Sequence, residues 1–237
     1  MMACPWCAAC GARGCALANP YRAAIYYAPE TDDPLWRQGS AWLGRDAATG
    51  LNLPQPALPN LPANTEAPRR YGFHATLKAP LSLRFGLKPF LADAEALAAA
   101  LPPFALPPLI VTSLNGFLAL CLATPSPALH TLETVLVRGL DRHRLPEDAQ
   151  TQAQRAQGRT PRQRAYIARY GYPLVIEEFL FHMTLTAALS PNPYHAPAEA
   201  HFGPALSLPR RVESLCLFTQ HQPGAPFRLI RRLKLGG

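Results

Sequence analysis

The sequence of 237 residues lacks any apolar run of 18 or more residues, which is the length that a membrane-spanning helix requires. Its first twenty residues contain Ala-Leu-Ala but lack the basic start and the leucine-rich stretch of a secretory signal. We therefore expect a cytoplasmic protein with no membrane contact.

Charged residues are scarce, at 16% of the chain, and acidic ones are the scarcer kind, with 15 Asp and Glu against 23 Lys and Arg. A hydrophobic content of 49% is nevertheless too high for a chain that is disordered throughout, and it predicts a globular protein. The formal net charge of +8 favours an anionic partner, either a phosphate ester or a nucleic acid. Solvated helix faces and tails produce the same excess, so the charge alone does not choose between these interpretations.

The amino-terminal cysteines lack the second ligand pair that structural zinc sites usually take from a separate knuckle. Four of the six cysteines form this cluster: Cys4, Cys7, Cys10 and Cys15. Their spacing could hold zinc or an iron–sulfur cluster, but in a cramped arrangement. We therefore expect residues 1–18 to be a flexible cysteine-rich extension without metal, and residues 19–237 to form one domain. Cys121 and Cys216 lie in apolar runs and are expected to be buried free thiols.

Hydrophobic periodicity and turn residues predict short strands alternating with helices. The predicted strands are 22–28, 71–80, 106–114, 116–123, 179–187, 212–220 and 228–235. The predicted helices are 34–43, 87–101, 127–142 and 161–170. Residues 50–70 contain five prolines and are expected to be loop. This order predicts an α+β fold with two lobes and mostly antiparallel sheets.

Two short segments resemble each other, FHATL at 73–77 and FHMTL at 181–185, and they match at four of five positions. In a strand, residues two apart share a face, so each segment presents a His and a Thr together above an apolar side. The four side chains are His74, Thr76, His182 and Thr184. If the two lobes are related by a pseudo-twofold axis, the two strands can place both pairs in one groove.

Such a groove suits phosphodiester chemistry. One neutral imidazole can accept a proton from water while the other, protonated, donates one to the leaving alkoxide. Histidine's ordinary pKa of about 6.5 allows both states at neutral pH, and threonine hydroxyls can donate to the non-bridging oxygens. We therefore predict His74 and His182 as catalytic residues and Thr76 and Thr184 as phosphate-binding residues, with no cofactor. The sequence does not say which histidine is the acid.

A metal site at His74 and His182 is an alternative, but the accompanying threonines would make a poor ligand set. A single histidine on a strand is more often structural than catalytic. The repetition of the motif favours a functional site.

At these residues the sequence resembles the two-histidine (2H) phosphoesterase superfamily, whose signature is a repeated His-x-Thr/Ser followed by a hydrophobic residue. Longer stretches resemble its DUF1045 branch, whose genes lie in phosphonate-utilisation operons. These stretches are 26–29, 42–46, 71–80, 171–173, 177–186 and 224–228. The resemblance implies a bilobal fold of two pseudo-symmetric β-sheet lobes with outer helices, and metal-free activity on 2′,3′-cyclic or related cyclic phosphates. The cysteine cluster is not part of the pattern.

Further residues are candidates for substrate contact. Lys78 lies two residues beyond Thr76 and is predicted to share its face, where an ammonium could bind a phosphate oxygen or simply face solvent. Tyr26, Tyr172 and Arg228 are candidates for ring stacking or phosphate contact, and equally for packing. Tyr71 is expected on the opposite face from Thr76, away from the site.

The leading hypothesis is a phosphodiesterase that opens a small cyclic phosphate, with a phosphorylated sugar of phosphonate breakdown as its substrate. An RNA-end cyclic phosphodiesterase is the second, which the charge of +8 would suit. A non-catalytic binder of nucleotides or RNA is the third. The two intact motifs favour an enzyme, because a binder would be free to lose one histidine.

Overall fold

The computed structural model describes residues 19–236, which contain nine strands and eight helices. The strands are β1 (Arg22–Tyr27), β2 (Ala75–Leu81), β3 (Phe104–Leu106), β4 (Leu109–Leu114), β5 (Phe117–Leu122), β6 (His182–Thr184), β7 (Arg210–Val212), β8 (Ser214–Gln220) and β9 (Arg228–Lys234). The helices are α1 (Pro34–Leu43), α2 (Leu61–Asn64), α3 (Glu66–Tyr71), α4 (Leu87–Ala99), α5 (Pro127–Leu140), α6 (Ala149–Ala156), α7 (Pro161–Tyr170) and α8 (His195–Leu206). The predicted cysteine-rich extension lies outside the described residues.

Seven strands form one sheet in the order β4-β5-β6-β2-β1-β8-β9, and β3 and β7 form a separate pair. Every named strand pair in the described part of the chain is antiparallel. The predicted α+β class with antiparallel sheets is therefore confirmed. None of the helices between residues 19 and 236 is long and apolar enough to cross a membrane.

The large sheet consists of two halves, β4-β5-β6 and β2-β1-β8-β9, which are the two lobes of the fold. They meet where β2 pairs with β6, and the partners there are Ala75 and Met183. The two lobes thus share a single sheet, and each contributes its histidine motif at the line where they join.

The two faces of this sheet differ in what covers them. One face carries apolar side chains such as Ile25, Ala75 and Met183, which pack in the main core with residues of α1, α4, α5 and α8. The other face carries Tyr26 and Phe218, which belong to a smaller buried cluster. Alternation along β1 produces this division, because Ile25 and Tyr26 point to opposite sides. The histidines lie on the face of Tyr26.

Several predicted elements are confirmed, and helices α1 and α7 have the predicted bounds. Helix α1 spans the predicted residues, is capped by Asp33, and ends at Gly44, whose φ of 76° is the left-handed conformation that glycine adopts readily. The hairpin of β4 and β5 turns at Asn115-Gly116, where both residues have positive φ. Helix α7 begins at Pro161 and ends before Gly171, as predicted. Cys121 and Cys216 are buried free thiols.

Other predictions were wrong. Residues 50–70 are not all loop, because α2 and most of α3 lie there, and β2 begins at Ala75 rather than at Tyr71. Besides α2 and α3, two further helices were missed. Helix α6 has no buried residue and no apolar residue larger than alanine, and α8 contains an internal proline and has apolar residues on all sides.

Gly39 provides a test of the packing under the first motif. It is buried on α1, and a Cβ there would overlap the ring of Phe73, the residue before His74. We expect Gly39→Ala to lower the free energy of unfolding by about 1–3 kcal/mol, because an overpacked core must shift. Urea denaturation measures this change.

Gly203→Ala is the matched control. Gly203 lies within α8, and no atom lies within 4 Å of a Cβ placed there. We expect this variant to gain up to about 1 kcal/mol, since alanine favours the helix more than glycine does. Equal effects of the two substitutions would contradict the packing described.

Candidate active site

The pairing of β2 with β6 brings the two motifs together. Because Ala75 and Met183 are partners on the apolar face, the residues on either side of each point to the other face. Those residues are His74, Thr76, His182 and Thr184, and all four line one cavity of about 280 Å³. The groove that the sequence required is present in the structure.

Both histidines are fixed by the same hydrogen bond. The Nδ1 of His74 lies 2.8 Å from the carbonyl oxygen of Gly72, and the Nδ1 of His182 lies 2.8 Å from that of Leu180. A carbonyl oxygen only accepts, so each Nδ1 carries the proton and donates it. Each Nε2 is therefore the nitrogen available for proton transfer.

The surroundings of His74 keep it neutral. Its ring stacks on the ring of Tyr26, with 3.7 Å between centroids. The pKa of His74 is lowered to about 4, mainly by burial and to a smaller extent by charge on His182, while the Gly72 carbonyl acts in the opposite direction. The Thr76 hydroxyl lies 3.3 Å from the Nε2 of His74 and can donate to it. At neutral pH this Nε2 is therefore a proton acceptor.

His182 has a different environment, although its motif is the same. Its ring lies 5.9 Å from the ring of Phe117, at a tilt of 58°, and it is not stacked. The two imidazoles thus have like tautomers but unlike ring neighbours.

Three tyrosines line the same cavity. Tyr26 and Tyr172 were sequence candidates; Tyr26 is fully buried under His74, and burial raises the pKa of both phenols. Tyr71 was expected to lie away from the site, and this was wrong. It ends α3 instead of starting a strand, and its ring stacks on Phe227 at 5.2 Å and lies 6.3 Å from the ring of His74.

Two arginines that sequence reasoning missed also line this cavity, Arg22 and Arg155. Arg22 begins β1 and lies four residues before Tyr26, so strand alternation could have placed it on this face. Arg155 lies on the polar helix α6, which gave no signal in the sequence.

Two other candidates lie outside the cavity lining, Lys78 and Arg228. Strand β2 has one extra residue where it pairs with β1. Thr76 pairs with Tyr26, but the next residue of β1, Ile25, pairs with Lys78 and not with Leu77. This bulge moves Lys78 to the apolar face. The Lys78 ammonium is 3% exposed and binds Asp141 at 2.9 Å. Arg228 donates to the carbonyl oxygen of Ala48 at 3.1 Å.

A second cavity, of about 330 Å³, adjoins the first. It shares His74, Tyr71 and Thr184 with the first cavity, and its remaining lining is mainly apolar, including Phe117 and Pro68. His74 therefore lies between a cavity that contains two arginines and one that is mainly apolar.

Comparison with known proteins identifies the family. Residues 76–228 match the family described as "Protein of unknown function (DUF1045)". The chain belongs to this family. The resemblance to the DUF1045 branch that the sequence showed is thus confirmed.

Two curated relatives extend the similarity over most of the chain. A protein from Janthinobacterium sp. (strain Marseille) is 35% identical over 235 residues, covering 91% of this chain and 51% of the relative. A protein from Laribacter hongkongensis (strain HLHK9) is 38% identical over 221 residues, covering 89% and 51%. Both are called "Ribose 1,5-bisphosphate phosphokinase PhnN". The chain spans about half the length of these relatives.

Solved structures similar to this DUF1045 protein include E. coli LigT in apo form, with a TM-score of 0.47, 13% identity, and coverage of 93% of this chain and 100% of LigT. A structure described as a phosphoesterase has a TM-score of 0.45 and 14% identity, with coverage of 92% and 100%. Independently of these, the sequence contains no Gly-Lys pair and hence no G-x-x-x-x-G-K-[ST] phosphate-binding loop.

The ionisation of His74 is directly testable. Because its pKa is lowered to about 4, its imidazole should stay neutral with the proton on Nδ1 at every pH above about 5. NMR titration of the ring nitrogens should show this, and in urea-unfolded protein the same ring should titrate near ~6.5. Protonation of His74 near neutral pH in the folded protein would contradict the burial described.

Lys78→Met tests whether this lysine supports the fold or binds phosphate. Loss of the charged hydrogen bond to Asp141 should lower the free energy of unfolding by about 1–3 kcal/mol. The exposed Lys88, on α4, is the control, and Lys88→Met should change stability little. If Lys78→Met left stability unchanged but weakened the binding of inorganic phosphate, Lys78 would be a phosphate-binding residue and not a structural one.

Proposed function

We propose that this DUF1045 protein is a phosphodiesterase that opens a small cyclic phosphate ester by acid–base catalysis between two histidines. The observation that carries the proposal is the shared cavity of His74, His182, Thr76 and Thr184. No metal is needed in this mechanism, because the two imidazoles supply both proton transfers.

The neutral state of His74 supports an assignment of roles to the two histidines. His74 is held neutral, so its Nε2 accepts the proton of the attacking water. His182, protonated on Nε2, donates that proton to the leaving alkoxide. One P–O bond forms to the water oxygen and one breaks in the ring, leaving a phosphate monoester and a free hydroxyl.

The threonine hydroxyls stabilise the charge on the phosphoryl group. Thr76 donates to the Nε2 of His74 when no substrate is bound, and rotation of its hydroxyl would direct it to a non-bridging oxygen. Thr184 lines the same cavity from the other strand. The two donors approach the phosphate from both lobes, as the two histidines do.

The relatives' name supports a place in phosphonate metabolism, with a ribose phosphate ester as the substrate class. An RNA end carrying a 2′,3′-cyclic phosphate is the second candidate, and the apolar cavity beside Tyr71 and Phe117 favours it, since a base could stack there. Turnover of each substrate distinguishes them.

The decisive variants are His74→Ala and His182→Ala. Each should lower kcat on a cyclic phosphate by about 10²–10⁴-fold, the usual contribution of a general acid or base. The assay uses EDTA-treated protein with ribose 1,2-cyclic phosphate and adenosine 2′,3′-cyclic phosphate. His195→Ala is the control, because His195 is exposed on α8 and pairs with Glu199.

Either histidine variant with the rate of the unaltered protein would contradict the acid–base assignment. An unaltered protein that binds these nucleotides without turning them over would favour a non-catalytic binder. Activity that disappears on EDTA treatment and returns with a divalent cation would contradict the metal-free mechanism.

A further inference from the structure

The cavity beside the histidines carries more positive charge than one phosphate requires. Arg22 and Arg155 line it together with the two His-Thr pairs, and no Asp or Glu is among its lining residues. The lining itself contains no carboxylate, and Glu147, which pairs with Arg155, lies in an adjoining cavity, so the histidine cavity keeps an excess of positive charge that attracts anions. The histidines and threonines already account for the reacting phosphate.

Arg22 is held in place by a buried partner. Its Nε donates to the Oε1 of Gln220 at 2.8 Å, and Gln220 is 1% exposed and itself donates to the carbonyl oxygen of Ala225 at 2.7 Å. The guanidinium also lies over the ring of Phe227 at 5.4 Å. Among residues 19–236, no hydrogen-bond partner is found for its two terminal nitrogens. The Arg22 side chain is thus held in one orientation, and its two terminal nitrogens can still donate hydrogen bonds to a ligand.

Arg155 reaches the cavity from α6. One terminal nitrogen pairs with Glu147 at 2.8 Å, and the other lies 3.4 Å from the carbonyl oxygen of Gly171, so the side chain is anchored although exposed. Both arginines also line an adjoining cavity of about 370 Å³, to which Glu147 belongs. The arginines therefore mark the outer limit of the histidine cavity.

We propose that Arg22 and Arg155 bind a second phosphate group of the same substrate, so that this site acts on cyclic phosphates that carry a further phosphate. This inference rests on the proposed function. Guanidinium groups bind phosphate with two parallel hydrogen bonds, which fixes orientation as well as charge. The second phosphate is either a monoester on the sugar or the next phosphodiester of an oligonucleotide.

Matched substrates test the proposal. Ribose 1,2-cyclic phosphate is compared with its 5-phosphate, and adenosine 2′,3′-cyclic phosphate with a diadenosine dinucleotide that ends in the same ring. In at least one pair, the member with the second phosphate should have a kcat/KM higher by about tenfold or more. A preference within the sugar pair points to a monoester, and one within the adenosine pair points to RNA.

The variants are Arg22→Gln and Arg155→Gln. Each should reduce kcat/KM for the preferred, doubly phosphorylated substrate by about tenfold or more, mainly through KM, and leave its partner within about twofold. Arg22→Lys keeps the positive charge but loses the planar guanidinium group and its hydrogen bond to Gln220. Its kcat/KM for the doubly phosphorylated substrate should therefore lie between those of Arg22→Gln and the unaltered protein. Arg211→Gln is the control, since Arg211 is exposed and lines a different cavity.

The outcomes separate the two proposals. No preference for a second phosphate in either pair, while the His74 and His182 variants are inactive, would overturn this inference and leave the proposed function intact. Equal losses on both members of a pair would also overturn it. If nothing is turned over, the proposed function fails, and calorimetric binding of ribose 1,2-cyclic phosphate 5-phosphate to the arginine variants still decides whether these side chains bind the second phosphate.

Discussion

The pairing of Ala75 with Met183 is the contact on which the site depends. It joins two sheet halves that would otherwise each expose an edge, and it fixes which residues of both motifs face the groove. Because side chains alternate along a strand, a slip of one residue would turn His74 or His182 into the apolar core. The apolar neighbours prevent that slip, since a histidine would have to replace a buried Ala or Met in the core. The placement of the two His-Thr pairs in one groove is therefore a consequence of core packing.

The two His-Thr motifs have the same sequence pattern but different surroundings in the structure. The two motifs share residue types, strand position and the hydrogen bond from Nδ1 to the carbonyl two residues earlier. They differ in what covers the ring: Tyr26 stacks on His74, whereas the nearest ring to His182 is the tilted Phe117. Acid–base catalysis needs one neutral and one protonated imidazole, so a strictly symmetric site would be poorly suited to it. The stacking of Tyr26 on one copy alone provides an asymmetry between the two.

The sequence could predict what depends on local pattern. Period-two alternation placed the His-Thr pairs on one face, and the helix signals of α1 and α7 were sufficient to give their bounds. It could not predict features decided by tertiary contacts. The bulge that moves Lys78 to Asp141 depends on how β2 meets β1, and the placement of Tyr71 depends on a short helix in a proline-rich segment. Arg155 lies on a helix without an apolar face, so nothing local indicated that it reaches the groove.

The two cavities also constrain how a substrate can lie. His74 lines both of them, whereas His182, Arg22 and Arg155 line only the cationic one. In an in-line displacement at phosphorus, the attacking water and the leaving oxygen are on opposite sides. With His74 as the proposed base and His182 as the proposed acid, the attacking water would lie on the side of His74 and the leaving oxygen on the side of His182. A second phosphate on the substrate, if the arginines bind it as proposed, belongs to the same part of the substrate as the leaving oxygen, so binding energy at the arginines would hold the leaving group against its proton donor.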